Sequence, residues 1–487
     1  MRHTRWVGLS VVVLGFAQSA GASDMYYQDF LFGERATGMG GAFTGLANDP
    51  AAAYYNPAGL AFELDQYLSG SLNFFNFDKV TMKDGMRLGT VSQTLESAPV
   101  APFPSAGFIP AEWRGNYFAF TTVVPHLTRR SFSGSLESGA QKLNTSLSEE
   151  DTTVWIGGTY ARRLGKKFAM GASILYGTRT YSRVRDDTAV TTNTNAATSG
   201  TAEIESQRIE TFRTGFDVKQ LVIRLGFLIL PTPQLRIGLL LGIPSITISG
   251  SGSRSWRSAL INIDSSPVVI GPGDTRATVI SAQYKTFEKG LDAESKRPFE
   301  ARLGISYAFT PRLTVAADVS IHLPTEYLRM PSATIPGSPE DPNDHEFVNN
   351  VTRNFVHNYN LGFEWYIGGR VPLRLGAFTN FSSAPEIPAN PTEAYLSQIH
   401  LMGFTGSIGY TGERGSINVG FMYVAGNGYG IIYDNAALRR VEIGQRSIQI
   451  FVSGGISFLS ENVKGLFIKR RKPSRDEQIK EEVPWRE

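Results

Sequence analysis

The sequence predicts an all-β protein: a transmembrane antiparallel β-barrel of about fourteen strands with an N-terminal hatch, or plug, inside its lumen. Three observations lead there. From about Tyr67 onward, apolar residues recur with a period of two, which marks strands with one apolar face. The connections alternate between short turns and long polar segments, the pattern of a barrel whose two ends face different compartments. After Ser23 no uninterrupted apolar run is long enough for a transmembrane helix, which needs about 20 residues.

The strands follow in order. Segments near 66–77, 103–111, 116–125, 151–162, 167–184, 216–230 and 235–250 form the first half of the barrel. Segments near 298–309, 312–322, 353–367, 371–381, 399–411, 415–427 and 444–458 form the second. The even count suits a single-chain bacterial barrel and returns the chain to the side on which it started. The alternation is clearest in "FEARLGISYAF", where Phe299, Ala301, Leu303, Ile305 and Tyr307 share one face. Glu300, Arg302, Gly304 and Ser306 share the other. Short turns are expected at Glu112–Gly115, Arg162–Lys166, Pro231–Pro233, Thr310–Arg312, Gly368–Pro372 and Gly412–Gly415. Long loops are expected at Thr188–Thr201, Gly250–Lys296, Pro324–Asn350 and Ser382–Gln398, with Ala277–Phe287 as a further hairpin inside one of them.

Composition fits this class. The 487 residues contain no Cys, 50 Gly and 30 Phe, and charged residues make up only 19%. A soluble domain carries about a quarter. The net charge of +3 advertises no nucleic-acid partner, and the lack of Cys removes disulfides and thiolate metal sites. The chain opens with Arg2 and Arg5, an apolar run Trp6–Ala17, then Ala20 and Ala22 in A-x-A spacing. This reads as a secretory signal peptide over residues 1–22.

The domain plan is therefore a signal peptide (1–22), a hatch (23–65), a barrel (66–458) and a charged periplasmic tail (459–487). The last strand, "RSIQIFVSGGISF", places Ile448, Ile450, Val452, Ile456 and Phe458 on one face. The tail that follows holds the basic run Lys469–Lys472 and a mixed acidic end.

Between the signal and the first strand lies "GERATGMGGAFTGLANDPAAAYYNPAGLAF", Gly33 to Phe62. It has no strand alternation and no helical stripe. Its small residues suit close backbone packing against a wall, and Asn56-Pro57 is a turn signal. The stretch resembles the N-terminal hatch of the FadL family of outer-membrane transporters, which includes the TodX-type aromatic-hydrocarbon channels. The resemblance rests on Gly33, Arg35, Gly38, Gly40, Gly41, Ala47, Asn48 and Asp49, followed by Asn56, Pro57 and Ala58.

The resemblance implies passive uptake of long-chain fatty acids or aromatic hydrocarbons through a plugged barrel in the bacterial outer membrane, with both termini periplasmic. It implies a hydrophobic small-molecule ligand, no cofactor, and contact with outer-membrane lipid, lipopolysaccharide and the barrel-assembly machinery. It also implies a lateral exit at a kink in the third strand, here near Pro125. PorV-like barrels, which shuttle or scaffold secreted proteins, share the motif and give the alternative reading.

Met25, Tyr26, Phe30 and Phe32 are unusually apolar for a mature chain end. They are candidate pocket residues as well as candidate packing residues. Arg224, Arg236, Glu300, Arg302, Asp318, Glu364 and Arg374 fall on the non-lipid faces and are candidate lumen charges, since a charge on the lipid face costs about 2–4 kcal/mol. Strands meeting at Pro311 are expected to set Arg302 beside Asp318 as a cross-strand pair. The six His residues (His3, His126, His322, His345, His357 and His400) form no H-E-x-x-H spacing, and no G-x-S-x-G elbow occurs. The chain does not read as an enzyme.

Overall fold

A computed structural model describes residues 25–28, 30–62, 68–88, 91–96, 103–192, 204–271, 274–331, 347–412, 415–434 and 437–456. The expected signal peptide, the tail and Phe458 lie outside the described residues. The chain forms a closed transmembrane barrel of fourteen antiparallel strands. In order they are β1 (Leu68–Leu88), β2 (Val91–Glu96 with Phe103–Trp113), β3 (Asn116–Ser138), β4 (Gln141–Arg163) and β5 (Phe168–Thr192). Next come β6 (Ile204–Ile229), β7 (Leu235–Gly242 with Ile246–Gly271), β8 (Asp274–Asp292 with Glu300–Thr310) and β9 (Leu313–His322). The barrel ends with β10 (Val356–Ile367), β11 (Val371–Asn380), β12 (Gln398–Gly412), β13 (Gly415–Asp434) and β14 (Ala437–Ile456). Closure comes from β1 pairing with β14, Leu68 opposite Ile456 and Met82 opposite Ile443.

The period-two pattern has its expected physical cause. In the lower part of β8, Glu300, Arg302, Gly304 and Ser306 are buried, while Leu303, Ile305 and Tyr307 are exposed. The same outward alternation exposes Ile174, Leu361, Leu375, Phe404, Ile408, Phe421 and Ile448 around the circumference. A water-facing sheet would bury this band, whereas lipid solvates it at no cost.

All fourteen expected strands are present, but the outward halves differ from the sequence reading. The Gly250–Lys296 segment is mostly not a loop: Ser251–Gly271 pairs with Asp274–Asp292 as the upper part of β7 and β8. The hairpin expected at Ala277–Phe287 is one side of that ribbon. β3 does not stop at Pro125 but continues to Ser138, and β4 begins at Gln141 rather than near 151. One end of the barrel therefore carries short turns, such as Arg114-Gly115 with φ of 53° and 75°. The other end carries tall walls; β6 alone has 26 residues, where about 9–11 suffice to cross a bilayer.

Two features interrupt the wall. Between β3 and β4 the register slips from Val123 opposite Trp155 to His126 opposite Thr153, so Val124-Pro125 forms a β-bulge. Among the described residues, the β2–β3 ladder ends at the same level, at Ala106 opposite Val123. Farther round, β7 breaks at Ile243–Ser245 and β8 breaks beside it at 293–299. The two breaks are tied by Arg297 N donating to Ser245 Oγ (2.9 Å) and Ser245 N donating to the Arg297 carbonyl (3.1 Å).

Residues 25–28 and 30–62 occupy the interior at the short-turn end. They contain two short helices, α1 (Glu34–Gly38) and α2 (Ala52–Tyr55), and a 3₁₀ turn at Pro57–Phe62. Phe32, Met39, Phe43, Tyr55 and Leu60 are almost wholly buried. The helix α1 packs against β11, β12 and β13, and the 3₁₀ turn packs against β4, β5 and β6. The buried hydrophobic residues from Phe32 to Phe62 form one cluster with wall residues such as Phe108, Trp155, Leu175 and Leu228. The segment folds by filling the barrel.

Candidate functional site

The inner segment is anchored by its motif residues. Asn56 donates from Nδ2 to the carbonyls of Thr44 (2.9 Å) and Phe227 (3.0 Å), and its Oδ1 accepts from Ala58 N at 3.2 Å. One amide thus fixes the Asn56-Pro57 turn and clamps it to β6. Asp49 Oδ1 accepts from Ala51 N (2.8 Å), turning the chain into α2, and Asn48 Oδ1 accepts from Arg35. Gly40 and Gly41 sit at φ of 63° and 79°, in the left-handed region that favours glycine.

Glycines on the barrel wall complete the fit. Gly171 opposes Gly226, Gly238 opposes Gly304, and Gly362 opposes Gly376 across adjacent strands. Each pair receives a piece of inner backbone: Pro57–Ala58, Thr44–Gly45 and Met39–Gly40 respectively. A Cβ on Gly376 would stand 2.1 Å from Gly40 N, and one on Gly238 2.0 Å from the Thr44 carbonyl oxygen. The motif glycines of the inner segment therefore have partners on the wall. The repeated Gly at inward parity was the sequence signal for them.

The seven expected lumen charges all face inward. Arg35 of α1 makes a bidentate contact with Glu364, donating from Nε at 2.9 Å. Arg374 donates to the same carboxylate at 2.8 Å and reaches Glu34 at 3.5 Å. Arg236 donates to the Leu46 carbonyl at 3.1 Å. Arg224 binds Glu300 at 3.0 and 3.2 Å. The expected Arg302–Asp318 pair is corrected: Arg302 stands opposite Ser320, and Asp318 stands opposite Gly304. The hairpin register is two residues away from the one that would pair them, so both charges stay on the inner face and stand diagonal to each other. Asp318 instead accepts the Phe43 and Thr44 amides at 3.1 and 2.9 Å.

Above the inner segment, at the tall end, lies a cavity of about 150 Å³. Its lining includes the apolar Met25, Met82, Phe132, Leu147, Phe347 and Ile443. It also includes Arg130, Arg179, Arg183 and Arg329 together with Glu149. Arg130 also lines a second cavity of about 50 Å³, which touches Tyr26, Phe30 and, just past the β3 bulge, Leu127 and Thr128. Phe30, Phe378 and Asn380 are shared between that cavity and a third, deeper one of about 30 Å³. The structure thus brings Met25, Tyr26 and Phe30 to cavities. Phe32 goes elsewhere: it is fully buried and packs edge-on against Tyr54 at 4.8 Å inside the inner segment.

The bulge is braced by a charge cluster that sequence reading missed. Arg179 Nε donates to Asp151 Oδ1 at 2.9 Å, and His126 Nε2, next to the bulge, is 3.5 Å from Asp151 Oδ2. Arg179 also reaches Ser295 Oγ (3.0 Å) in the β8 break. The cluster links the two wall interruptions.

Fold and interior together define a class: a transmembrane barrel whose lumen is filled at one end by its own N-terminal segment and hollow above it. No family model matches the sequence, and no curated protein matches it. Solved structures do. A FadL homologue from Pseudomonas aeruginosa superposes with a TM-score of 0.57 at 13% identity, over 89% of this chain and 100% of the other. The toluene transporter TodX of Pseudomonas putida superposes with a TM-score of 0.55 at 14% identity, over 89% and 100%. The fold is FadL/TodX-like.

Proposed function

We propose that this chain is an outer-membrane channel for passive uptake of hydrophobic small molecules, long-chain fatty acids or aromatic hydrocarbons, with residues 25–62 as its hatch. The observation that carries the reading is the series of three cavities, joined by shared lining residues, that descends from the tall end to the level of the hatch past the β3 bulge. The likeness to a toluene transporter and a FadL homologue supports it. The tall end is then the outer face and the short-turn end the periplasmic one, as in barrels of this type.

In this reading a ligand enters the upper cavity, where apolar side chains hold its body and the arginines of the lining bind any anionic group. It descends toward Leu127 and leaves sideways where the β2–β3 ladder ends and Val124-Pro125 bulges. No energy source or cofactor is required, because each site only has to bind and release. The hatch closes the axial route, held by Glu364, Asp318, Asn56 and the three glycine pairs.

The test is uptake of labelled oleate and toluene by cells with and without the protein. Faster entry of either supports the channel. Unchanged entry of both rejects it, and leaves the PorV-like reading, in which walls such as the 26-residue β6 dock a secreted protein.

A further inference from the structure

The outer wall changes character along one line. On β12, β13, β14 and β1, Phe404, Tyr423, Ile448 and Phe77 stand side by side in register and face outward. In the next outward row toward the tall end, Arg446 of β14 lies directly opposite Lys79 of β1, and both are exposed. The row above is small and polar, with Asn427, Gly444 and Thr81 in register. Lys83 and Glu442 follow as an ion pair. Short side chains between longer ones leave a basin of about 670 Å³ on this face, lined by Lys79, Thr81, Asn427, Gly444 and Arg446 with the Lys83–Glu442 pair. Its lower rim is the upper edge of the apolar band.

That rim carries an unmatched charge. Like charges directly opposite one another on neighbouring strands repel. Lys79 reaches Glu96 at 2.8 Å, and Lys83 holds Glu442, so both nearby carboxylates are taken. Arg446 makes no hydrogen bond or ion pair among the described residues. The two lysine pairs are more than half exposed, and exposed pairs are weak in water, so a stronger anion competes for Lys79.

We propose that this basin holds the head group of a phosphorylated glycolipid of the outer leaflet, the class to which lipopolysaccharide belongs. A phosphate sits between Arg446 and Lys79. Sugar hydroxyls meet Asn427 and Thr81 over the space that Gly444 leaves, and acyl chains run down Phe77, Ile448 and Tyr423. The guanidinium fork of arginine matches phosphate oxygens with paired hydrogen bonds, and basic side chains at the edge of an apolar belt meet lipid head groups. The size favours a glycolipid over a lone phosphate. The basin crosses β13, β14 and β1, roughly 10 Å of wall, and its volume is that of a small-molecule site, about 300–1,000 Å³. The inference rests on the tall end being the outer face, as in the channel reading, and does not need transport.

Native mass spectrometry of the full-length protein measures retained lipid for wild type, Arg446→Gln, Lys79→Gln, the double variant and Lys166→Gln, which removes a charge in the short turn between β4 and β5. The probes are bisphosphorylated lipid A, the same lipid dephosphorylated, and phosphatidylglycerol. Heat-modifiable gel mobility establishes that each variant is folded. Wild type and Lys166→Gln are expected to retain the phosphorylated lipid about tenfold better than the dephosphorylated one. Each single variant is expected to weaken that preference and the double variant to lose it. Arg446→Lys, which keeps the charge without the fork, is expected to keep part of it.

Equal retention of the two lipids by wild type overturns the inference, and so does a preference that survives in the folded double variant. Phosphatidylglycerol retained as well as lipid A, or lipid A displaced by millimolar inorganic phosphate, assigns the basin to any phosphate and overturns it too. Orientation is tested separately. The chain has no Cys, so Glu137→Cys near the tip of the β3–β4 hairpin gives one thiol at the tall end. An impermeant maleimide is expected to label it on intact cells. Absence of label puts the tall end in the periplasm and overturns the inference, whereas labelled cells that take up neither oleate nor toluene reject the channel and leave the lipid site standing.

Discussion

Glu364→Gln tests whether the inner segment is held by charge. Glu364 is 1% exposed and accepts from Arg35 on the segment and from Arg374 on the wall. Removing its charge leaves two guanidinium groups without their shared carboxylate, and breaking a buried ion pair costs about 3–5 kcal/mol. At about 1.4 kcal/mol per tenfold change, local opening of the segment should become roughly a hundred to a few thousand times more frequent. Hydrogen exchange at the amides of residues 34–55 reads this opening, with β14 as the internal reference. Faster exchange in the segment and unchanged exchange in β14 is the expected outcome. Pairing the change with Arg35→Met should give less than the sum of the two single effects, because both remove the same contact. Unchanged exchange in residues 34–55, or equal acceleration in β14, would refute the reasoning.

Other outcomes follow from the same geometry. Gly376→Ala places a Cβ against the backbone of Gly40 and Met39 and should lower stability by about 1–3 kcal/mol, seen as a lower midpoint of the heat-modifiable gel shift; Gly158→Ala, with nothing within 4 Å, should leave it unchanged. Asn56→Ala removes hydrogen bonds to two carbonyls and should cost about 1–3 kcal/mol, with faster exchange in residues 44–62. Burial pushes the Asp49 carboxyl up to about 6. A raised carboxyl favours the folded segment when protonated, so its contribution is present below about pH 4 and lost as pH rises through 6. Exchange in residues 43–55 of wild type minus that of Asp49→Asn should therefore grow over that window, and a flat difference contradicts the assignment.

The barrel was legible because lipid enforces a strict rule. Leu303, Ile305 and Tyr307 must point outward and Glu300 and Arg302 inward, so the period-two pattern marks the spanning part of each strand. The rule stops where the wall leaves the membrane. Ser251–Ser258 carries one large apolar residue, Trp256, among Ser, Gly and Arg, so its sequence looks like a loop. The inner segment was legible from its motif, but its attachments were not. Arg35 meets Glu364, and Phe43 and Thr44 meet Asp318, across hundreds of residues, and no local spacing encodes such contacts. The Arg302–Asp318 expectation failed on a two-residue difference of register at the Pro311 turn. The deep cavity depends on the inward break of β8 that carries Arg297, which no turn residue announces.

The channel reading is tested most directly by the initial rate of oleate and toluene entry into cells carrying equal surface amounts of wild type or Leu147→Trp, against cells lacking the protein. Leu147 lines the upper cavity of about 150 Å³, and a tryptophan there narrows it. The account predicts faster entry of at least one compound with wild type and a rate near that of protein-free cells with the variant. Equal rates in all three, or full activity in the variant, would contradict it.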